Sequence, residues 1–135
     1  MGINWTYKEE DFATDLIGDN TGFVYKITNL TNGRQYIGKK LFYFSKTKQV
    51  KGKKKRIKVL SDWETYYGSS NFLLQDVETF GKENFKREIL HLCKSKGLCS
   101  YLELKEQITH GVLESDMYYN GIIQVRIHKS HIKGI

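Results

Sequence analysis

The chain has 135 residues, 39% of them hydrophobic, and a formal net charge of +7. That size and composition suit one compact domain with a modest core. No apolar run nears the ~18 residues of a membrane span, and the N-terminus lacks a signal-peptide pattern, so a cytoplasmic protein with no membrane partner is expected.

Cys93 and Cys99 have no second pair beside them, which argues against a disulfide framework or a zinc knuckle and for two reduced thiols. The charge is concentrated in one place. Between Lys39 and Lys58 there are ten Lys/Arg (39, 40, 46, 48, 51, 53, 54, 55, 56 and 58) and no acid, so the rest of the chain is net negative. A local basic block points to a polyanion. Phe42, Tyr43, Phe44, Trp63, Tyr66 and Tyr67, in and just after it, favour nucleic acid.

In chain order, residues 6–18 read as a helix. Thr6 and Glu9 form a capping-box pattern, Phe12, Ala13, Leu16 and Ile17 a stripe, and Gly18 a stop. The stretch "GFVYKITNLTNGRQYIGKK" (22–40) reads as a hairpin turned at Asn32-Gly33. Alternation puts Phe23, Tyr25 and Ile27 on one face of its first strand, and Tyr36 and Gly38 on one face of its second. Residues 41–61 read as a basic ribbon or extended loop in which Gly52 supplies the turn.

Ser70 is a good N-cap for a helix carrying Phe72, Leu73, Leu74, Val77 and Phe80, ended by Gly81. "NFKREILHLC" (84–93) is a strand candidate. A last helix is expected to start at Ser100, with Glu103 in a second capping box and Tyr101, Leu104, Ile108 and Val112 as its buried stripe. That wheel points Glu103 away from the core and places Glu106 at the apolar edge. "NGIIQVRIH" suggests a final short strand, followed by a loose tail.

With these residues set out, the chain resembles the GIY-YIG nuclease superfamily, in particular its small phage-type, homing-endonuclease-like members. The first signature falls on Phe23-Val24-Tyr25, where phenylalanine replaces glycine. The second is intact as Tyr36-Ile37-Gly38. "YYGSSNFLLQDVETFGKENFKREIL", "YLELKEQ" and "YYN" (118–120) continue the family's order of motifs.

The resemblance implies an α+β fold: a small, mainly antiparallel three-stranded central sheet flanked by helices, here with the basic ribbon or loop at about 41–61 added. One nuclease domain is expected over 1–135, with an N-terminal helical arm (1–21), a core (22–120) and a C-terminal strand and tail (121–135).

The resemblance also implies a metal-dependent DNA endonuclease, homing- or restriction-like, acting in a bacterial or phage-infected cell. Tyr25 becomes the general base or water-positioner, Tyr36 its partner, Arg56 the phosphate-gripping cation in preference to Lys46, and Glu106 the ligand of Mg²⁺ (or Mn²⁺) in preference to Glu103. A phenol with a pKa near 10 is a poor base at pH 7 unless nearby positive charge favours phenolate. Asn120 is expected to order the site.

Lys39, Lys40, Lys46, Lys53, Lys54, Lys55 and Lys58 are expected to hold the phosphates of double-stranded DNA, alone or with a second copy of the chain. The competing expectation is a catalytically inactive basic module that binds DNA or RNA.

Overall fold

The computed structural model describes residues 4–133. Its main sheet has five strands in the order β2-β1-β7-β3-β4. These are β1 (Trp5–Tyr7), β2 (Glu10–Asp11), β3 (Gly22–Asn29), β4 (Gln35–Leu41) and β7 (Phe85–Cys93). The sheet is therefore five-stranded and mixed in place of the expected three-stranded one: β7, β3 and β4 run antiparallel, and β1, running parallel to β7, adds itself and β2 at the other edge. A second, two-stranded antiparallel sheet pairs β5 (Tyr43–Val50) with β6 (Lys53–Leu60).

β3 is central, and it buries Phe23, Tyr25 and Ile27 on one face and Val24 on the other. Phe23, Tyr25 and Ile27 join an aromatic cluster with Trp5, Phe12, Phe42, Trp63, Tyr67, Leu73, Val77 and Phe85. Val24 faces the other way and packs with Ile37, Cys93, Cys99 and Val112. Helix α1 (Asn71–Phe80) contributes Leu73 and Val77 to the first cluster, and its N-cap Ser70 accepts from the Leu73 N–H. Helix α2 (Lys96–Thr109) contributes Cys99 to the second.

Phe23 also explains its own departure from the glycine signature. Its ring lies 4.8 Å from that of Phe42 and 5.0 Å from that of Trp5, in the middle of the aromatic core. The replacement fills volume under the sheet and leaves the hairpin register intact.

Three expected elements are corrected. Residues 6–18 do not form the expected helix, and only Thr14–Leu16 makes a 3₁₀ turn. Lys8 and Glu9 take positive φ, so 5–11 turn back as a small hairpin whose Thr6 pairs with Asp11. Trp5, 2% exposed, buries its indole and donates Nε1–H to the Trp63 carbonyl at 2.8 Å. Burying one indole is worth more than the few tenths of a kcal/mol per residue that separate helix propensities.

Helix α2 starts before Ser100, because its N-cap is Ser95, whose hydroxyl accepts from the Leu98 N–H. Residues 121–128 form no strand, although Ile123 rests against the α2 cluster. The tail is docked as far as it is described. Residues 129–132 make a 3₁₀ turn, and the His131 ring sits so close to Gly97 that a Cβ there would fall 2.6 Å from it. Residues 134–135 of the expected loose tail lie outside the described residues.

Candidate active site

The β3–β4 register decides where the phenols go. Tyr25 pairs with Gly38, and Ile27 with Tyr36. Directly opposed residues share a face, so both tyrosines stand on the aromatic side, with ring centroids 6.1 Å apart. Gly38 leaves room for them, since a Cβ there would lie 2.5 Å from the Tyr25 hydroxyl and 2.9 Å from the Tyr36 ring.

A third phenol completes the group. Tyr66 meets Tyr25 edge-on at 6.0 Å. The Tyr66 loop is pinned by Arg87, whose Nη1 donates to the carbonyls of Glu64 at 3.0 Å and Tyr66 at 2.7 Å. The same guanidinium lies over the Trp5 and Tyr67 rings at 4.7 and 4.2 Å. The Tyr36 hydroxyl reaches the exposed Ser69 hydroxyl at 3.0 Å.

The outer edge of β4 is covered by side chains in sequence. Near its start, the Gln35 carbonyl accepts from the Tyr119 N–H. Asn120 then brackets Ile37, accepting its N–H at 3.1 Å and donating to its carbonyl at 2.8 Å, while Gln107 donates to that carbonyl at 3.0 Å. One step further along, Lys39 sends its ammonium to the α2 side, 4.0 Å from the Glu103 carboxylate. Glu103 and Gln107 are four apart on α2, hence on one helix face, and that face lies against the signature strand.

Glu103 is therefore the α2 carboxylate set against the signature strand. Its side chain is 15% exposed, with the Lys39 ammonium 4.0 Å away. Burial raises its pKa despite the opposing pull of the Lys39 charge and N–H. Tyr25 is pushed well above the ordinary phenol range, first by burial, then by Tyr66 and Tyr36, with a further push from Glu103. Tyr36 is raised too, by burial and by Tyr66 and Glu103, against a lowering hydrogen bond from Ser69. Neither phenol feels Glu106 or Arg56 in this way.

Glu106 is engaged elsewhere. Its Oε2 lies 2.6 Å from His91 Nε2, and its Oε1 lies 3.4 Å from His110 Nδ1. Arg56 sits in mid-ribbon, exposed, opposite Thr47 on β5. The structure thus brings Tyr25, Tyr36 and Lys40 together and leaves Arg56 and Glu106 out of that group.

Lys40 shares the Tyr36 face of β4. Its Nζ pairs with Asp62 at 2.7 Å and lies 4.1 Å from the Tyr66 ring centroid. Lys39 turns to the α2 side and donates to Ser100 Oγ at 2.6 Å. Lys46, Lys53, Lys54, Lys55 and Lys58 all stand exposed on the β5–β6 ribbon.

Tyr66, Ser69 and Gln107 had not been singled out as site residues. The "YYGSS" motif was the available signal for the first two, and the Glu-x-x-x-Gln spacing for the third. A divalent cation fits Glu103 on chemical grounds: a largely buried carboxylate whose negative charge is only partly offset. Among the described residues no group of three or more His, Cys, Asp or Glu could hold a metal, so an ion there would rely on one carboxylate, water and substrate oxygens, a set that suits Mg²⁺.

A phenol-bearing hairpin with a glutamate-bearing helix along its edge is the arrangement of a GIY-YIG-type domain. The chain belongs to that nuclease family: residues 5–123 match the family model described as "Putative endonuclease segE, GIY-YIG domain". It is similar to the curated "Putative endonuclease segE" of Enterobacteria phage T4, at 33% identity over 98 residues. That match takes in 73% of this chain but only 39% of the relative. No solved structure matches the chain significantly.

Proposed function

We propose that this chain is a divalent-metal-dependent endonuclease that hydrolyses phosphodiester bonds in double-stranded DNA, of homing or restriction type. The observation that supports the reading is the gathering of Tyr25, Tyr36 and Lys40 on one face of the β3–β4 hairpin, with the Glu103 carboxylate set against Lys39 on the same strand. We assign the acidic role to Glu103 in place of Glu106, and the site cation to Lys40 in place of Arg56.

Cleavage needs a water oxygen in line with the phosphorus, an acceptor for its proton, and positive charge on the phosphoryl oxygens. Tyr36, only half-buried, is the phenol that meets the water. Tyr36 first loses its own proton through Ser69 to solvent, and the phenolate so formed takes the water's proton as the water oxygen bonds to phosphorus. The P–O3′ bond breaks with its electron pair leaving on O3′, which takes a proton from solvent water to become the 3′ hydroxyl.

Tyr25 is too buried to meet bulk water, and it fixes Tyr66 and Tyr36 in place. Lys40 supplies fixed positive charge to the phosphate, and Glu103 would hold the metal. When bound, Mg²⁺ or Mn²⁺ supplies charge neutralisation at the phosphate and at the departing 3′ oxygen. The ribbon lysines, with Lys39 and Lys40, hold the backbone.

The experiment is incubation with supercoiled plasmid in Mg²⁺ or EDTA, with Tyr36→Phe as control. Nicked or linear product in Mg²⁺ alone, lost in the variant, supports the proposal. Salt-sensitive binding without product in Mg²⁺ or Mn²⁺ overturns it in favour of an inactive binding module.

A further inference from the structure

The β5–β6 ribbon separates two kinds of chemistry onto its two faces. Its register opposes Ser45 to Lys58, Thr47 to Arg56 and Gln49 to Lys54 on one face. The other face carries Lys46 opposite Ile57, Lys48 opposite Lys55 and Val50 opposite Lys53. Every uncharged hydrogen-bonding side chain of the outer ribbon, and its one arginine, therefore lies on the first face. The second offers only lysines and aliphatics. Among the described residues, none of the six side chains on the first face has an internal hydrogen bond or ion pair.

Two further features ask for a partner. A two-stranded hairpin standing alone is marginal in water, and the like-charged rung Lys48–Lys55 weakens it further. Its two-residue turn is well made, with Lys51 and Gly52 both at positive φ as a type I′ turn requires, so the ribbon is a built element. The innermost rung of the polar face, Ser45–Lys58, lines a cleft of about 490 Å³ with Asp19, Asn20 and Lys96. The lysine face starts at Phe44, 5.1 Å beneath the Lys40 ammonium, and so continues the positive charge of the site.

We propose that the ribbon enters the major groove of double-stranded DNA and reads base edges with Gln49, Lys54, Thr47 and Arg56, while Lys46, Lys48, Lys53 and Lys55 hold phosphates. This rests on the nuclease reading for its substrate class. It adds sequence selectivity, where basic charge alone predicts uniform binding.

The B-form major groove, about 12 Å wide, admits a two-stranded ribbon. Arginine pairs with guanine, glutamine with adenine, and the threonine methyl meets thymine. Successive rungs are roughly 7 Å apart, about two base-pair steps, so three rungs cover a tract of about four to six base pairs. The cut falls to one side of it, because the ribbon leaves the sheet from the end of β4.

The test selects bound duplexes from a randomised pool with the full chain in EDTA, alongside plasmid cleavage in Mg²⁺. The wild type is expected to enrich a short tract. Arg56→Lys then loses preference at a guanine by 10-fold or more, while its binding to random duplex falls less than threefold. Lys48→Ala with Lys55→Ala weakens binding to all duplexes by 10-fold or more and keeps the tract.

An enriched tract without plasmid cleavage sinks the nuclease reading and leaves the ribbon reading standing. Three results overturn the ribbon: no enrichment by the wild type, equal and sequence-blind losses in the Arg56 and lysine variants, or better competition by RNA, whose deep, narrow major groove excludes the ribbon.

Discussion

The Glu103 carboxylate lies 4.0 Å from the ammonium of Lys39, one residue past the Gly38 that lets the Tyr25 hydroxyl approach β4. That ion pair sets an acidic side chain of α2 against the strand that carries Tyr36. Its charge adds a small upward push to the pKa of both phenols, behind burial.

Holding that carboxylate in a largely buried position has a stability cost. Burial raises its pKa in the folded state, so protonated Glu103 is favoured by folding. The contribution is fully present below the ordinary carboxylate pKa of about 4.3 and is lost as pH rises through the elevated folded value. Glu103→Gln is always neutral and should be more stable than the wild type at pH 7, with the difference vanishing near pH 4. Urea denaturation midpoints at the two pH values measure it.

Asn120 satisfies both polar groups of Ile37, and only its carbonyl has a second partner, Gln107. Asn120→Ala leaves the buried Ile37 N–H without an acceptor, which costs about 1–3 kcal/mol. A lower urea midpoint with unchanged slope is expected, together with slower plasmid cleavage because Tyr36 and Gly38 flank the freed peptide.

Gly38→Ala tests the close approach of the phenols. The new methyl would lie 2.5 Å from the Tyr25 hydroxyl, and Tyr25, 1% exposed, has nowhere to go. Overpacking of this kind costs about 1–3 kcal/mol. Displacing the reacting group by about 1 Å should slow cleavage about 100-fold. Thermal unfolding and single-turnover cleavage report the two losses separately.

Both phenols are raised in pKa and stay neutral at pH 7. With Tyr36 as proton acceptor, log kcat should climb with a slope near 1 from pH 7 to pH 9. The Ser69 hydrogen bond holds Tyr36 down, so Ser69→Ala should shift that profile to higher pH and lower the rate about 10-fold at pH 7, within the usual range for proton-transfer groups. A plateau from pH 6.5 would point to a different base.

Much of the scaffold was legible because it rests on local signals. The β3–β4 hairpin followed from alternation around Asn32-Gly33, and α1 from Ser70 and Gly81. The errors have physical causes. Thr6 and Glu9 mimic a cap, but Trp5 and Phe12 are drawn into a core built from residues far along the chain. Ser100 and Glu103 mimic a second cap, yet the helix starts at Ser95, which frees both for Lys39.

The helical wheel then misplaced the buried face of α2. Ile108, 64% exposed, looked like core, whereas polar Gln107 turns inward to bond the edge of β4 and Glu103 lies against Lys39. Tyr66 reaches the site only because Arg87 and Trp5 fix its loop from other strands, and no local pattern encodes that.

The assignment of the acidic role is tested most directly by comparing Glu103→Gln with Glu106→Gln in cleavage of supercoiled plasmid in Mg²⁺, with DNA binding measured in EDTA. Cleavage should fall at least 1,000-fold in the first and stay within about threefold of wild type in the second, a difference of about 4 kcal/mol in the barrier, with binding kept in both. Full activity in Glu103→Gln, with loss confined to Glu106→Gln, would contradict the site described here.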